Sequence, residues 1–251
     1  MLLRPRTPET YRKAIDFFEH ALALDPQSVE AQSRLADLLV LRVLDGISNS
    51  AAADIARADG LVDQALAAAR RYALAHFVKG QLLRVQKRSE EAITEYEAAL
   101  ALNRNLVPAL ACLGWCKLYA GSIGEVIPLA KQAIRLSPRD PGIGHCYYLI
   151  GTVHLLHSEI GEAIGWLEKA RSAIPTPFHH SRLASACALR GEIDRAAAEL
   201  AEARRLDCGD LFSSIAHLRA YPGAWWGVPK IRALYEATYF AGLRKAGMPE
   251  E

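Results

Sequence analysis

The sequence predicts an all-α fold, a superhelix of about thirteen helices arranged as antiparallel pairs. Two observations predict it. A small apolar residue is followed four on by a larger one, three further by Ala, and five further often by Pro, and this pattern returns about every 34 residues. It reads Ala14/Phe18/Ala21/Pro26, Ala58/Val62/Ala65/Arg70, Ala92/Tyr96/Ala99/Arg104, Val126/Ala130/Ala133/Pro138, Ala163/Leu167/Ala170/Pro175 and Ala196/Leu200/Ala203/Cys208. Offsets of three and four share one face of a helix, so each set is a stripe that admits a close neighbour, and the Pro ends the helix. The second observation is a small-residue notch on a helix preceding each stripe from the second onward: Leu35-Ala36, Lys79-Gly80, Leu113-Gly114, Ile150-Gly151 and Leu183-Ala184.

In chain order, the first unit has only its striped helix. Thr7 caps it, Pro8 suits its first position and Glu9 favours its positive end. The apolar stripe of residues 14–21 then lacks a full partner, which implies a chain cut from a longer protein, or a start that caps itself by pairing with a second copy. The second unit is longer than the third, 44 residues from Ala14 to Ala58 against 34 from Ala58 to Ala92. The excess falls around Asp45–Ser50, so a longer first helix, a loop and a helix from about Ala51 are expected. Units three and four follow with helices either side of short turns, Gly121 marking the turn of the fourth. The fifth carries extra residues near Pro141–Gly144, whose Gly-x-Gly lacks a preceding strand and is a poor phosphate loop. Gly191 marks the turn of the sixth. Beyond Cys208 the period stops. A helix is expected over about 209–220, then the aromatic, turn-rich Tyr221–Pro229, then a last helix over about 230–246 with Ile231, Leu234, Tyr235, Thr238, Tyr239 and Leu243 on one stripe. Residues 1–210 are thus expected to form the repeat array and residues 211–251 a capping segment.

Composition limits the function. A net charge of +2, with basic residues scattered among acidic ones, gives no large electrostatic pull on nucleic acid or anionic lipid. The five cysteines include no Cys-x-x-Cys pair and fall where small apolar residues fit, so buried reduced thiols in a cytoplasmic protein are expected. A zinc set of Cys112, Cys116, His145 and Cys146 is the weaker alternative. The segment MLLRPRTPET has arginines and prolines where a secretory signal needs an apolar run, and no stretch is apolar enough to span a membrane. Walker, Gly-x-Ser-x-Gly and His-Glu-x-x-His patterns are absent from the sequence. His154, His157, His179 and His180 read as packing or surface residues. No catalytic residue, metal or cofactor is expected.

These units resemble the tetratricopeptide repeat over about residues 9–208, best in Leu110–Pro138. The resemblance implies a right-handed superhelix whose first helices line a concave groove that binds protein or peptide. The groove positions are then Phe77, Gln81 and Arg84 in unit three, Ala111, Trp115 and Tyr119 in unit four, Tyr148, Thr152 and Leu156 in unit five, and Phe178, Ser181 and Ser185 in unit six. Chaperone-binding members of the family hold a peptide carboxylate with Lys and Asn. Here Phe77, Gln81, Cys112 and Ser181 stand at such places, so that clamp is not expected. The groove is aromatic instead, with Phe77, Gln81, Arg84, Trp115, Tyr119, Tyr148, Thr152 and Phe178 as its candidate peptide-binding residues. It is filled either by a partner's helix or peptide, or by the chain's own C-terminal aromatic segment through Trp225 and Trp226.

The ending Phe240–Glu250, with Arg6-Thr7-Pro8-Glu9, Leu113–Lys117 and Ala133–Pro141, further resembles the C-terminal repeat region of bacterial class III adenylate cyclases. Ala69-Arg70-Arg71 and Arg104 depart from the Asp-Pro turns usual in the repeat. That resemblance implies a non-catalytic regulatory module, binding a protein or the upstream domain of its own polypeptide in cyclic AMP signalling. A free-standing scaffold and the repeat part of a winged-helix regulator are the alternatives, and a homodimer through the first helix is open.

Overall fold

The computed structural model describes residues 7–207, 209–221 and 227–251. Among these residues the structure is helical throughout. The helices are α1 (Pro8–Leu24), α2 (Val29–Leu44), α3 (Ala51–Ala68), α4 (Ala73–Val85), α5 (Ser89–Leu102), α6 (Val107–Tyr119), α7 (Val126–Leu136), α8 (Ile143–Leu156), α9 (Ile160–Ala173), α10 (Pro177–Arg190), α11 (Ile193–Leu206) and α12 (Ile215–Ala220). The chain ends in α13 (Pro229–Tyr235), which runs through a π-helical stretch, Glu236–Phe240, into α14 (Ala241–Lys245). With that last run counted as one helix there are thirteen among the described residues. Contacts gather the chain into two compact units, residues 1–116 and residues 117–251, the division falling inside α6.

Within the first unit α2 packs on α3, and α4 on α5; within the second α8 packs on α9, and α10 on α11. The striped residues are the core of each pair: Ala58, Val62 and Ala65, then Ala92, Tyr96 and Ala99, Ala163, Leu167 and Ala170, and Ala196, Leu200 and Ala203 are all buried. The notch explains the pairing. A Cβ added at Gly80 would sit 2.8 Å from the Tyr96 ring, and one at Gly151 would sit 2.8 Å from Leu167 Cγ. The first stripe is the exception. Ala14, Phe18 and Ala21 are only half-buried, and Phe17 and Leu24 beside them are 68% and 76% exposed.

The turn inside each pair is built the same way five times. One residue takes a left-handed φ: Gly46 at 69°, Lys87 at 63°, Gly121 at 94°, Ser158 at 60° and Gly191 at 92°. The next N–H reaches five residues back, from Ile47 to Arg42, Arg88 to Leu83, Ser122 to Lys117, Glu159 to His154 and Glu192 to Cys187, at 2.9–3.0 Å. This is the Schellman ending of a helix, and it fixes the chain reversal. The glycines of units four and six carry that geometry without a Cβ clash, whereas Lys87 and Ser158 adopt it at a cost.

Thr7 caps α1, its Oγ1 accepting from the Thr10 N–H at 3.2 Å, with Pro8 next. The longer second unit is shared between its two helices, α3 beginning two turns before its stripe at Ala58. Its loop is pinned by Tyr11 Oη donating to Asp45 at 2.6 Å, and by Arg42 Nε and Ser48 Oγ donating to Asp54 at 2.8 and 2.6 Å. The helix expected over 209–220 is shorter. Ser214 caps α12, accepting from the His217 N–H at 3.1 Å, and a turn held by Ser213 Oγ donating to the Asp210 carbonyl takes the residues before it. The last helix matches its expected span. Trp225 and Trp226, one of the two candidate occupants of the groove, lie outside the described residues, as does Cys208.

Candidate functional site

The second helix of each pair buries its stripe, so the first helix presents its opposite side. In the first unit that side carries Asp37 on α2, Phe77, Gln81 and Arg84 on α4, and Trp115 on α6. Phe77 and Gln81 are buried; Asp37, Arg84 and Trp115 are half-buried. Phe77 leans on the Tyr96 ring, centroids 5.9 Å apart, which joins the face to the core. Gln81 Nε2 donates to Asp37 Oδ1 at 2.9 Å, and Arg84 Nη2 donates to Gln81 Oε1 at 3.4 Å. A polar line therefore crosses from α2 to α4. Sequence reasoning named Gln81 and Arg84 but missed Asp37. Asp37 stands one residue after the Leu35-Ala36 notch, as Gln81 follows Gly80, so the register alone could have found it.

In the second unit the corresponding side of α8 and α10 is already covered, by the chain's own C-terminal helix. Tyr148 and Thr152, expected to face a partner, are buried there. The centre of this contact is Arg182, which sequence reasoning missed. Its guanidinium is almost wholly buried, donates through Nη1 to Thr152 Oγ1 at 2.6 Å and through Nη2 to Tyr235 Oη at 3.3 Å. It lies 4.6, 5.1 and 5.2 Å from the ring centres of Tyr148, Tyr235 and Tyr239. Cation–π contacts of this kind strengthen when desolvated. Burial pushes the phenols of Tyr148 and Tyr235 up and that of Tyr239 up to about 12, the arginine opposing the shift in each. All three are neutral phenols at physiological pH. A single charged residue inside the otherwise small and apolar run Ser181–Ala188 was the available sequence signal.

Two further anchors fix the helix. Ser181 Oγ and Tyr239 Oη share a hydrogen bond of 2.8 Å, and Ser185 Oγ donates to the Tyr239 carbonyl at 2.9 Å. The second bond uses a backbone carbonyl within the π-helical stretch, where wider hydrogen-bond spacing frees such groups. Directly beyond it, a Cβ on Gly242 would lie 2.2 Å from Ser185 Oγ and 2.4 Å from its carbonyl oxygen, so only glycine seats there. At the other end Val228 N–H donates to the Tyr119 carbonyl at 2.9 Å, which places Tyr119 at the helix entry. Phe178 packs on Phe212 and Tyr221, centroids 5.2 and 6.1 Å away.

The remaining titratable groups hold the pairs together. His180 Nδ1 bonds Glu199 at 2.7 Å, and Arg171 also pairs with Glu199, tying α9, α10 and α11. Burial pulls His179 down to about 4, against a hydrogen bond of its Nδ1 to the Ile174 carbonyl at 2.5 Å, so this ring is neutral beside Tyr148. Burial pushes Cys116 up to about 12 and Cys187 up to about 11, which makes them poor nucleophiles. Among the described residues, no three His, Cys, Asp or Glu side chains converge as metal ligands. Also among them, no helix is long and apolar enough to cross a membrane.

Residues 46–106 match the tetratricopeptide repeat model. No curated protein matches the chain. Among solved structures it is similar to TTC0263, a thermophilic tetratricopeptide protein of Thermus thermophilus, with a TM-score of 0.59 and 19% identity over 75% of this chain and 98% of that one. It is similar to YrrB, described as a repeat protein of this type with an unusual peptide-binding site, with a TM-score of 0.53 and 17% identity over 82% of this chain and 98% of that one. A chain of the APC/C hetero-tetramer Cut9–Hcn1 gives a TM-score of 0.68 and 15% identity over 94% of this chain and 46% of that one. At these identities the likeness is one of fold.

Proposed function

We propose that this tetratricopeptide-repeat protein is a non-catalytic, protein- or peptide-binding module, and that it serves as the C-terminal regulatory region of an adenylate cyclase. The observation that carries the binding reading is the helix seated on α8 and α10. It lies on the positions expected to receive a partner, and it is held by aromatic, hydroxyl and arginine groups of the kind that make binding hot spots. In the first unit the matching face, built on buried Phe77 and Gln81 with half-buried Arg84 and Trp115, is the proposed place for a second polypeptide. Residues 1–210 are the binding array and residues 211–251 its capping segment. YrrB, of similar fold, is described as having a peptide-binding site, which supports a peptide-binding reading in general. The cyclase reading rests on the resemblance of the ending Phe240–Glu250 and of Leu113–Lys117 and Ala133–Pro141. In it the array biases cyclase activity or assembly, in the cytoplasm, by holding a partner or the enzyme's own upstream domain.

The two parts are tested separately. Replacing Arg84 and Trp115 together by Ala should abolish capture of the native partner by protein that still shows the wild-type helical signal. Unchanged capture would overturn the assignment of this face. For the cyclase link, an antibody to the array should recover from native cells a polypeptide well above 27.5 kDa that makes cyclic AMP from ATP. A recovered mass near 27.5 kDa removes the cyclase domain and leaves a free-standing scaffold.

A further inference from the structure

The C-terminal helix meets the array in a different way from every striped helix. Striped helices press Tyr96 and Leu167 against the glycine notches at Gly80 and Gly151, in buried contacts that hold each pair together. The run from Pro229 to Lys245 instead crosses α8 and α10 on their other side, next to residues that flank the notches: Tyr148 and Thr152 around Gly151, and Ser181 and Ser185 around Ala184. Its anchoring sets polar bonds beside a buried apolar stripe of Ile231, Tyr235, Tyr239, Phe240 and Leu243. Ser181, Arg182 and Ser185 each hydrogen-bond to it, and each of those groups can bond to water when the helix leaves.

Its outer side is fastened by an exposed lattice of charges. Arg219 forks onto Glu236 at 2.8 and 2.7 Å and reaches Glu250 at 2.6 Å, while Arg244 Nε holds Glu250 at 2.8 Å. The N–H groups of Ile215 and Ala216 donate to the carbonyls of Pro249 and Glu250 at 2.9 Å. Exposed pairs of this sort are screened by salt and contribute modestly. The helix is therefore tightly specified at its inner face, by Tyr235, Tyr239 and Gly242, and weakly fastened at its outer one.

We infer that the face formed by α8 and α10 is a helix-binding groove whose resident occupant is the chain's own C-terminal helix, and that a partner helix with two tyrosines one turn apart and a glycine in the following turn exchanges with it. The inference rests on the reading of this side of the array as a binding surface, and it names the class of ligand. The tyrosines place hydroxyls against Ser181 and Arg182, and the glycine admits Ser185 to the helix backbone. An apolar helix without those groups leaves Arg182 and the two serines with fewer partners in a buried site and is rejected. While the resident helix is seated, only the fraction of molecules with it released binds a competitor, so the apparent affinity falls in proportion.

The test uses the full chain and a fluorescein-labelled synthetic peptide of residues 227–248. Wild type should bind the peptide weakly. The variant Gly242→Leu cannot seat its own helix and should bind the same peptide at least tenfold more tightly. The double variant Arg219→Ala/Arg244→Ala, altered only at exposed positions, should move in the same direction. A peptide carrying Gly242→Leu should bind none of them. Equal binding by wild type and by the double variant, or tight binding of the leucine-bearing peptide, would overturn the inference. Should Gly242→Leu fail to fold, hydrogen exchange in wild type decides. Amides of residues 229–245 should exchange well ahead of those in α9–α11, and exchange only together with them would make the helix an ordinary core element. Failure here, with partner capture at Arg84 and Trp115 intact, removes this inference alone. Loss of that capture, with the peptide result standing, removes only the first-unit site.

Discussion

Single residues carry more of the design than their types suggest. Lys87 and Ser158 sit in left-handed turns that Gly121 and Gly191 occupy in sister units, with the same closing hydrogen bond. Ser158→Gly and Lys87→Gly should each stabilise the protein by about 0.5–1 kcal/mol, and Gly191→Ala should cost about 1 kcal/mol, read by chemical denaturation. Loss of stability in both glycine variants would mean that the turns are not strained. His179 gives a pH dependence. Its folded value is about 4, well below the ordinary value near 6.5, so below that value the unfolded chain binds the extra proton. Stability should be full above about pH 6.5 and fall by up to about 3 kcal/mol as pH drops towards 4. His179→Phe should flatten that slope; an unchanged slope would exonerate this ring. The striped residues and the notches were readable at this scale because they repeat. Arg182 and Asp37 were not, because each occurs once and its meaning comes from what faces it.

At the level of elements, periodicity placed the paired helices because a stripe that must be buried fixes both the face and its length. It also placed the last helix, through the stripe from Ile231 to Leu243. It overran α12, where Ser214 offers a cap within the apolar pattern and so starts the helix late. What it did not reach was the destination of the last helix. A stripe announces that a surface is buried without saying against which neighbour, and here the answer depends on a π-helical stretch and on Gly242 meeting Ser185. The charge lattice offers a prediction at this scale. Hydrogen bonds from Arg244 and then Arg219 hold Glu250 down to about 2, and Arg219 holds Glu236 below the usual carboxylate range. Both groups therefore add stability above the ordinary carboxylate value, and lose it as pH falls towards 2. Raising salt to about 1 M at neutral pH should speed tryptic cleavage at Arg244 and Lys245, because short-range screening weakens the lattice. An unchanged rate would show the fastening to be apolar.

For the whole molecule, a repeated helix pair buries its stripe against its own first helix and leaves that helix's other side for further contacts. This division explains why aromatic and hydroxyl residues gather where no catalytic set is found in the sequence, and why the fold was legible while the occupant was not. The sequence weighed a partner against the chain's own C-terminus. In the second unit a C-terminal helix lies there through Tyr235 and Tyr239, while Trp225 and Trp226 lie outside the described residues. The first unit's face is the one proposed to meet a second polypeptide. The most direct test is a photo-reactive phenylalanine analogue placed at Trp115 in native cells, with one at exposed Thr94 on α5 as the control. The account predicts a discrete cross-link to another polypeptide, or to an upstream domain of the same one, from position 115 and none from 94. Cross-links confined to this chain's own 251 residues, or equal from both positions, would contradict it.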